Sequence, residues 1–315
     1  MAIPRREFLG LGAAGAVLSG RALFSGSALP PSGAAAAADP VARVGSPLLK
    51  LSLAAYSFHS FLPRRGNPEQ IAASRMKLED FIHYCAEQGL GATELTGYYF
   101  PQQISTDYLL QIRQLTHRLG LTISATAIGN DFCVPEGAER QRQLAECREW
   151  IDYAAVMGAP AIRIFAGRVP DGDSEAAAVE RCTAGINECL IYAAQKGVFL
   201  ALENHGGITG TADQMLKIIG AVDPSPWFGV NFDSGNFQTA DPWRDLERIA
   251  PYAVNAQIKV SVFPGGVRQP ADFRRIAEIL KKAGYRGYVA LEYEETESPF
   301  DAVPRYLQQL REVLS

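Results

Sequence analysis

After residue 47 the chain alternates regularly between short β-rich segments and longer segments of helical periodicity, and each kind occurs eight times. Several β-rich segments are apolar almost throughout, which is typical of parallel strands that are covered on both faces. The longer segments carry apolar residues three and four positions apart, as amphipathic helices do. The eight predicted strands are Leu51–Ser57, Ala92–Thr96, Thr122–Ala127, Ala161–Phe165, Phe199–Glu203, Phe228–Phe232, Val254–Val260 and Tyr288–Tyr293.

Eight βα units with no long insertion predict an α/β protein with a single (β/α)8 TIM barrel, which we place at residues 48–315. A doubly wound open sheet is the alternative fold. Such a sheet normally has fewer units and a glycine-rich nucleotide turn. The sequence contains neither a GxGxxG motif nor a Walker motif, so the closed barrel is favoured.

The N-terminus has the pattern of an export signal. The pair Arg5-Arg6 is followed by an apolar stretch from Phe8 to Leu18 and then by small residues. A transmembrane helix needs about 20 apolar residues, so this stretch is too short to be one. We predict a twin-arginine signal peptide at residues 1–28 and a low-complexity linker at 29–47. The expected location is the periplasm, or another exported location, with no stable membrane anchor once the signal is cleaved.

Charge and cysteine content exclude two kinds of site. The chain has 30 basic and 34 acidic residues and no basic block, which argues against nucleic acid as a partner. Its five cysteines are odd in number and include no CxxC pair, which argues against a disulfide framework and a thiolate metal site. A homo-oligomer remains open.

Carboxylates stand at the carboxyl ends of three predicted strands, where the active site of a barrel forms. Glu203, Asp233 and Glu292 stand at the ends of the fifth, sixth and eighth strands. Three ionised carboxylates held together would repel one another, and their burial is costly. A divalent cation with hard oxygen ligands relieves this repulsion, so the pattern predicts a metal site. For any single carboxylate, a helix cap or a salt bridge is the alternative.

Two further residues at the same ends are candidates for catalysis. His205 lies two positions after a predicted ligand, within reach of a substrate hydroxyl or carbonyl. Lys259 on the seventh strand can stabilise a developing oxyanion. The structural alternatives are a loop-ordering histidine and an ion pair of Lys259 with Glu203 or Glu292.

Three other polar residues are predicted to bind the substrate. Glu94 ends the second strand and can bind a hydroxyl or act as a base, while His59 and Asn236 follow the first and sixth strands. The aromatic segment Tyr98–Phe100 follows Glu94 and can form an apolar wall against a sugar face, or can simply pack.

These motifs resemble those of the xylose isomerase-like TIM barrels, the superfamily of sugar phosphate isomerases and epimerases and of AP endonuclease family 2. The resemblance covers about residues 50–315. The segments that carry it are Ala201–Gly207 (ALENHGG), Asn231–Asn236 (NFDSGN), Gln257–Lys259 (QIK) and Leu291–Glu294 (LEYE). It implies one divalent metal ion, held by Glu, Asp, His and Glu at the ends of strands five to eight.

Three of these implied ligands carry over directly, namely Glu203, Asp233 and Glu292. The fourth is Gln257, at the position where the family usually has the histidine of His-x-Lys. A glutamine oxygen is a weaker ligand for Zn²⁺ than imidazole is. The resemblance therefore predicts Mn²⁺ or Mg²⁺, with Zn²⁺ or Co²⁺ as alternatives, and loss of the metal site remains open.

The resemblance also implies a reaction. A metal-dependent isomerase or epimerase would abstract a proton next to the carbonyl of a sugar, with Glu203 and Glu292 as the acid–base pair and Asp233 and Gln257 as ligands only. Phosphorylated sugars are scarce outside the cytoplasm, so a small non-phosphorylated sugar or keto-sugar is the expected substrate. A lyase that dehydrates or cleaves a keto-glycoside is one alternative, and a non-catalytic sugar-binding barrel is another. Endonuclease activity is disfavoured, because it uses several zinc ions and many histidines, and this chain has four.

Overall fold

Residues 39–314 are described by a computed structural model, and the predicted signal peptide lies outside them. Eight parallel strands form one sheet. They are β1 (Leu48–Leu53), β2 (Ala92–Thr96), β3 (Thr122–Ala127), β4 (Ala161–Ile164), β5 (Phe199–Glu203), β6 (Phe228–Asp233), β7 (Ala253–Lys259) and β8 (Arg286–Glu292). A short antiparallel pair, Ser261–Val262 with Gln269–Pro270, follows β7.

Helices lie between the strands and after the last one. They are α1 (Pro68–Ala73), α2 (Leu78–Glu87), α3 (Thr106–Arg118), α4 (Ala138–Met157), α5 (Glu175–Lys196), α6 (Ala212–Ala221), α7 (Pro242–Ile249), α8 (Phe273–Lys282) and α9 (Pro299–Leu314). Among residues 39–314, no helix combines the length and apolarity needed to cross a bilayer.

The strands close into a barrel. Each strand pairs in parallel with the next from β2 to β8, and β1 pairs in parallel with β8, with Leu53 opposite Leu291. The remaining gap between β1 and β2 is bridged by one parallel contact, Ala54 with Glu94. The single (β/α)8 barrel is thereby confirmed, because an open doubly wound sheet would leave its first and last strands at free edges.

The first predicted strand is wrong in its position. The structure ends β1 at Leu53, and residues Ala55–Phe58 form a 3₁₀ turn instead of the end of a strand. The Ser57 side chain explains the turn. Its hydroxyl donates to the carbonyl of Leu291 at 3.2 Å and accepts the amide N–H of Tyr293 at 3.0 Å, which ties the loop to β8.

Helix ends fix where the strands begin. Ser105 and Ser174 cap the first turns of α3 and α5 by accepting backbone N–H groups three positions ahead. Gly158 and Gly197 end α4 and α5 in left-handed geometry that favours glycine. The apolar helix faces then pack on the barrel, as Trp150 of α4 does edge-on against Phe100 with ring centroids 5.3 Å apart. The five cysteines are buried as free thiols in this layer and around it.

Candidate functional site

Five charged side chains from five consecutive strands meet at the carboxyl end of the barrel. All five are buried, with at most 10% of any side chain exposed. They are Arg163 on β4, Glu203 on β5, Asp233 on β6, Lys259 on β7 and Glu292 on β8. Burial of this many charges is sustained only where opposite charges pair.

Arg163 pairs with Glu203. The guanidinium Nε lies 2.9 Å from Glu203 Oε2, and its N–H direction is off the line to the oxygen, so charge holds the pair more than an aligned hydrogen bond does. Nη1 donates to the carbonyl of Ile128 at 2.8 Å, and the guanidinium stacks 3.9 Å from the ring centroid of Phe165. The Tyr98 hydroxyl lies 3.4 Å from Nη2. These contacts fix the cation in one orientation.

Lys259 forms the second cationic centre. Its Nζ lies 2.9 Å from Glu292 Oε2, 2.7 Å from Glu294 Oε2 and 3.5 Å from Asp233 Oδ2. Burial alone would lower the pKa of Lys259, but these three carboxylates outweigh it and raise that pKa. The ammonium therefore stays charged at neutral pH.

Within the part of the chain that the structure describes, only one of the two carboxylate oxygens of Asp233 accepts a hydrogen bond. Its Oδ1 accepts the backbone N–H of Gly235 at 2.8 Å, while the buried Oδ2 has no hydrogen bond and faces the Lys259 ammonium at 3.5 Å. Burial raises the pKa of Asp233 above its usual range, and the charge of Lys259 opposes that rise.

An amide network lies beneath the charged side chains. Asn231 Nδ2 donates to Glu203 Oε2 at 3.0 Å and to Gln257 Oε1 at 2.6 Å. Gln257 Nε2 in turn donates to Glu94 Oε1 at 2.6 Å, and Asn255 Nδ2 donates to Glu94 Oε2 at 3.0 Å. Both ends of the Gln257 amide are thus occupied inside the barrel.

Two carboxyl groups of this region have pKa values near neutrality. Burial raises the pKa of Glu203 to about 7, against the opposing charge of Arg163. Burial likewise raises the pKa of Glu94 to about 7, helped by the charge of Glu292. A carboxyl group with such a pKa can take up or release a proton at neutral pH.

The predicted metal ligands do not fit a divalent ion in this arrangement. Gln257 turns its carbonyl oxygen to Asn231, while Glu203 is ion-paired with Arg163 and accepts hydrogen bonds from Asn231 and Asn236. Asp233 Oδ2 and Glu292 Oε2 both already face the Lys259 ammonium, at 3.5 and 2.9 Å. Among the residues that the structure describes, no three His, Cys, Asp or Glu side chains are arranged to hold a metal ion.

The structure brings some of the other predicted residues to the site and leaves one out. Asn236 lies at the site, where its Nδ2 donates to Glu203 Oε1 at 2.9 Å. Glu94 is fully buried in the amide network, so it lies below the mouth. His59 is exposed, and its ring nitrogen and ring face contact Tyr56.

His205 lies on the wall of the mouth. Its ring packs on Phe165 with the centroids 4.2 Å apart. Burial, aided by the charge of Arg163, lowers the pKa of His205 to about 4, so the ring is neutral at pH 7. It lines a cavity of about 240 Å³ together with Asn130, Asp131, Arg168 and Thr209. A larger cavity of about 520 Å³ lies at the opposite end of the barrel, where Val41, Phe228 and Tyr252 make it mostly apolar.

Sequence reasoning missed Arg163. The signal was present, since an arginine interrupts the otherwise apolar strand Ala161–Ile164. Lys259 was a candidate for catalysis, with an ion pair to Glu203 or Glu292 as the structural alternative. The pair with Glu292 forms, and the cation facing Glu203 is Arg163 instead.

Solved structures with the same fold include sugar epimerases. A xylose isomerase domain protein from Planctomyces limnophilus is 20% identical, with a TM-score of 0.60, over 74% of this chain and 92% of that one. D-psicose 3-epimerase from Clostridium cellulolyticum H10 is 16% identical, with a TM-score of 0.66, over 84% and 99%. The 3-keto-D-glucoside 4-epimerase from E. coli is 16% identical, with a TM-score of 0.63, over 84% and 98%. Identities this low show a shared fold.

Sequence comparison assigns the family. No curated protein sequence matches the chain. The model of the family described as Xylose isomerase-like TIM barrel matches residues 82–313, which include every charged residue of the site. This match spans most of the chain, and the chain therefore belongs to the xylose isomerase-like TIM barrel family.

Proposed function

We propose that this barrel is a sugar isomerase or epimerase that moves a proton next to the carbonyl of a small non-phosphorylated sugar or keto-sugar. The observation that carries the proposal is a pair of buried glutamates, Glu203 and Glu292, which face two different fixed cations. The two carboxylates lie near enough that the charge of Glu292 contributes to the raised pKa of Glu203.

The proposed reaction needs a base, an acid and a cation. The hydrogen next to a carbonyl is a weak acid, so the enediolate that forms must be stabilised as its charge develops. Arg163 and Lys259 supply fixed positive charge at the mouth. One of the two glutamates removes the proton, and the other returns a proton at the opposite face, which inverts or shifts the centre. The predicted divalent ion has no part in these steps, because the donor set does not fit it.

Charge and the structural relatives support the proposed substrate class. Buried carboxylates outnumber buried cations at the site, so an added phosphate dianion would be repelled unless it lay far from them. Asn236 and neutral His205 are suited to binding sugar hydroxyls. By their names, two structural relatives act on D-psicose and on a 3-keto-D-glucoside, which supports a ketose or keto-glycoside here. A homo-oligomer stays a prediction.

Proton abstraction is tested by hydrogen exchange. The purified protein is incubated in D₂O with ketoses and 3-keto-glycosides, and NMR follows the C–H next to each carbonyl. We expect at least one sugar to exchange that hydrogen for deuterium and to yield an isomer or epimer. A product that has lost water or an aglycone would point to the lyase. Binding without exchange would point to a sugar-binding barrel.

We also propose that the protein is exported by the twin-arginine route, which places the reaction outside the cytoplasm. The support is the Arg5-Arg6 pair ahead of the apolar stretch. Replacing both arginines by lysine should leave the precursor in the cytoplasm, as blots of separated compartments would show. Arg21→Lys is the matched control and should be exported normally. Export of the double-lysine variant at the wild-type level would contradict the proposal.

A further inference from the structure

We propose that Lys259 takes the place of the divalent ion expected for this family, with Arg163 as a second fixed cation, so that the barrel holds its three carboxylates and acts without a metal. The catalytic half of this inference rests on the proposed function. The structural half, which concerns what cation the site holds, does not.

The position of the ammonium carries the first step. Lys259 Nζ lies 2.9 Å from Glu292 Oε2 and 3.5 Å from Asp233 Oδ2, which are oxygens of two expected metal ligands. An ammonium is a compact charge with three N–H donors. Nζ donates hydrogen bonds to Glu292 Oε2 and, at 2.7 Å, to Glu294 Oε2, and it faces Asp233 Oδ2 by charge alone. A divalent ion bound by the same two oxygens would lie close to Nζ, against the repulsion of like charges.

The third carboxylate is neutralised separately. Glu203 has the Arg163 guanidinium at 2.9 Å and accepts further hydrogen bonds from the amides of Asn231 and Asn236. Arg163 is itself fixed by the carbonyl of Ile128 and the ring of Phe165. Each expected carboxylate ligand thus faces a side-chain cation, which reduces the repulsion that a metal ion would otherwise relieve.

The fourth expected ligand is engaged elsewhere. Gln257 stands where the family's histidine would bind the ion, and its amide lies between Asn231 and Glu94 with both hydrogen bonds at 2.6 Å. A glutamine is suited to this position, because it can accept from one neighbour and donate to the other at once. Releasing its oxygen to a metal would leave the Asn231 donor without this partner inside the barrel.

A gain-of-metal experiment tests the inference. The full chain, wild type and variants, is equilibrated with Mn²⁺, Co²⁺ or Zn²⁺, dialysed, and analysed by mass spectrometry, with Co²⁺ absorption as a second readout. We expect wild type to retain no stoichiometric metal. The double variant Gln257→His/Lys259→Ala restores the imidazole and removes the ammonium, so it should retain about one ion per chain. Gln257→His alone restores the family's His-x-Lys pattern while the ammonium stays in place, so retention of about one ion per chain in this variant would show that Gln257, and not Lys259, keeps the ion out, and would overturn the inference.

Two further results of the metal measurements would overturn the inference. One is wild-type protein that retains about one ion per chain and loses it in Asp233→Asn. The other is a double variant that unfolds cooperatively, as wild type does, and yet binds no metal, since Lys259 would then not be what keeps the ion out. Lys259→Met replaces Lys259→Ala if the shorter side chain prevents folding, and the wild-type measurement needs no variant.

The same experiment separates this inference from the proposed function. Metal retention is measured without any sugar. If no sugar is turned over and the metal results are as expected, the proposed function fails and the replacement stands. If turnover is found but falls to background after chelation and returns with Mn²⁺, the function stands and the replacement is wrong.

Discussion

Replacing Arg163 by methionine should lower the free energy of unfolding by about 3–5 kcal/mol and abolish turnover. The side chain is buried, and it is the cation that faces Glu203. Methionine has a similar length and no charge, so the variant leaves a buried carboxylate with amide partners only. The pKa of Glu203, which Arg163 holds down against the effect of burial, would rise further, and the group would be protonated at neutral pH. Urea unfolding measures the loss of stability.

A second substitution shows whether the lost pairing is the cause. The double variant Arg163→Met/Glu203→Gln has no carboxyl group at this position to bury as a charge or to protonate, so most of the lost stability should return while turnover remains absent. Equal destabilisation in the single and double variants would mean that Arg163 acts through packing on Phe165 and not through charge. Arg168→Met is the matched control, because Arg168 lines the neighbouring cavity and forms no ion pair with Glu203.

The barrel and the ends of its strands were predictable because both follow from local patterns. Alternating β-rich and amphipathic segments determine the eight units, and a barrel places its active site at the carboxyl ends of the strands. Glu203, Asp233 and Glu292 could therefore be found as single positions in the sequence. The barrel fold alone then brings these three side chains together at one end of the sheet.

The pairing of those carboxylates with particular side-chain cations was not predictable from local patterns. The direction of Arg163 depends on the barrel interior, and in a strand covered on both faces no alternation of apolar and polar residues shows which way it points. The orientation of Gln257 depends on Asn231 of the neighbouring strand and on Glu94, 163 positions away. A sequence shows which side chains are present, whereas pairing inside the barrel decides whether a metal is needed.

His59 was misplaced for a local reason. The predicted first strand ran on to Ser57, which would have carried the histidine to the mouth directly after a strand end. The structure ends β1 at Leu53 and turns the chain at Ala55–Phe58, because Ser57 bonds to β8. The turn leaves His59 exposed on the rim against Tyr56. The hydrogen bonds of the Ser57 hydroxyl therefore account for the difference between the predicted and the observed position of His59.

Glu292→Gln is expected to lower kcat by about 10²- to 10⁴-fold while KM changes little. The glutamine keeps the size of the side chain and can still accept a hydrogen bond from Lys259 Nζ, but it cannot carry a proton. Lys259 retains Glu294 and Asp233 as partners, so the fold should survive. Steady-state kinetics on the sugar found by hydrogen exchange, with calorimetry for its affinity, measure both effects.

Glu294→Gln provides the matched control. Glu294 contacts the same ammonium at 2.7 Å, but 40% of its side chain is exposed, so loss of its charge should be largely compensated by water and change kcat less than tenfold. A large loss in Glu292→Gln with a small one in Glu294→Gln assigns the proton to Glu292. Equal losses would instead show that both act only by holding Lys259. A sugar-binding barrel would be identified by two results together: wild-type protein binds sugar without turnover, and Glu292→Gln binds it with unchanged affinity. The reason is that binding needs hydrogen-bond partners, whereas catalysis needs a group that can take up and release a proton.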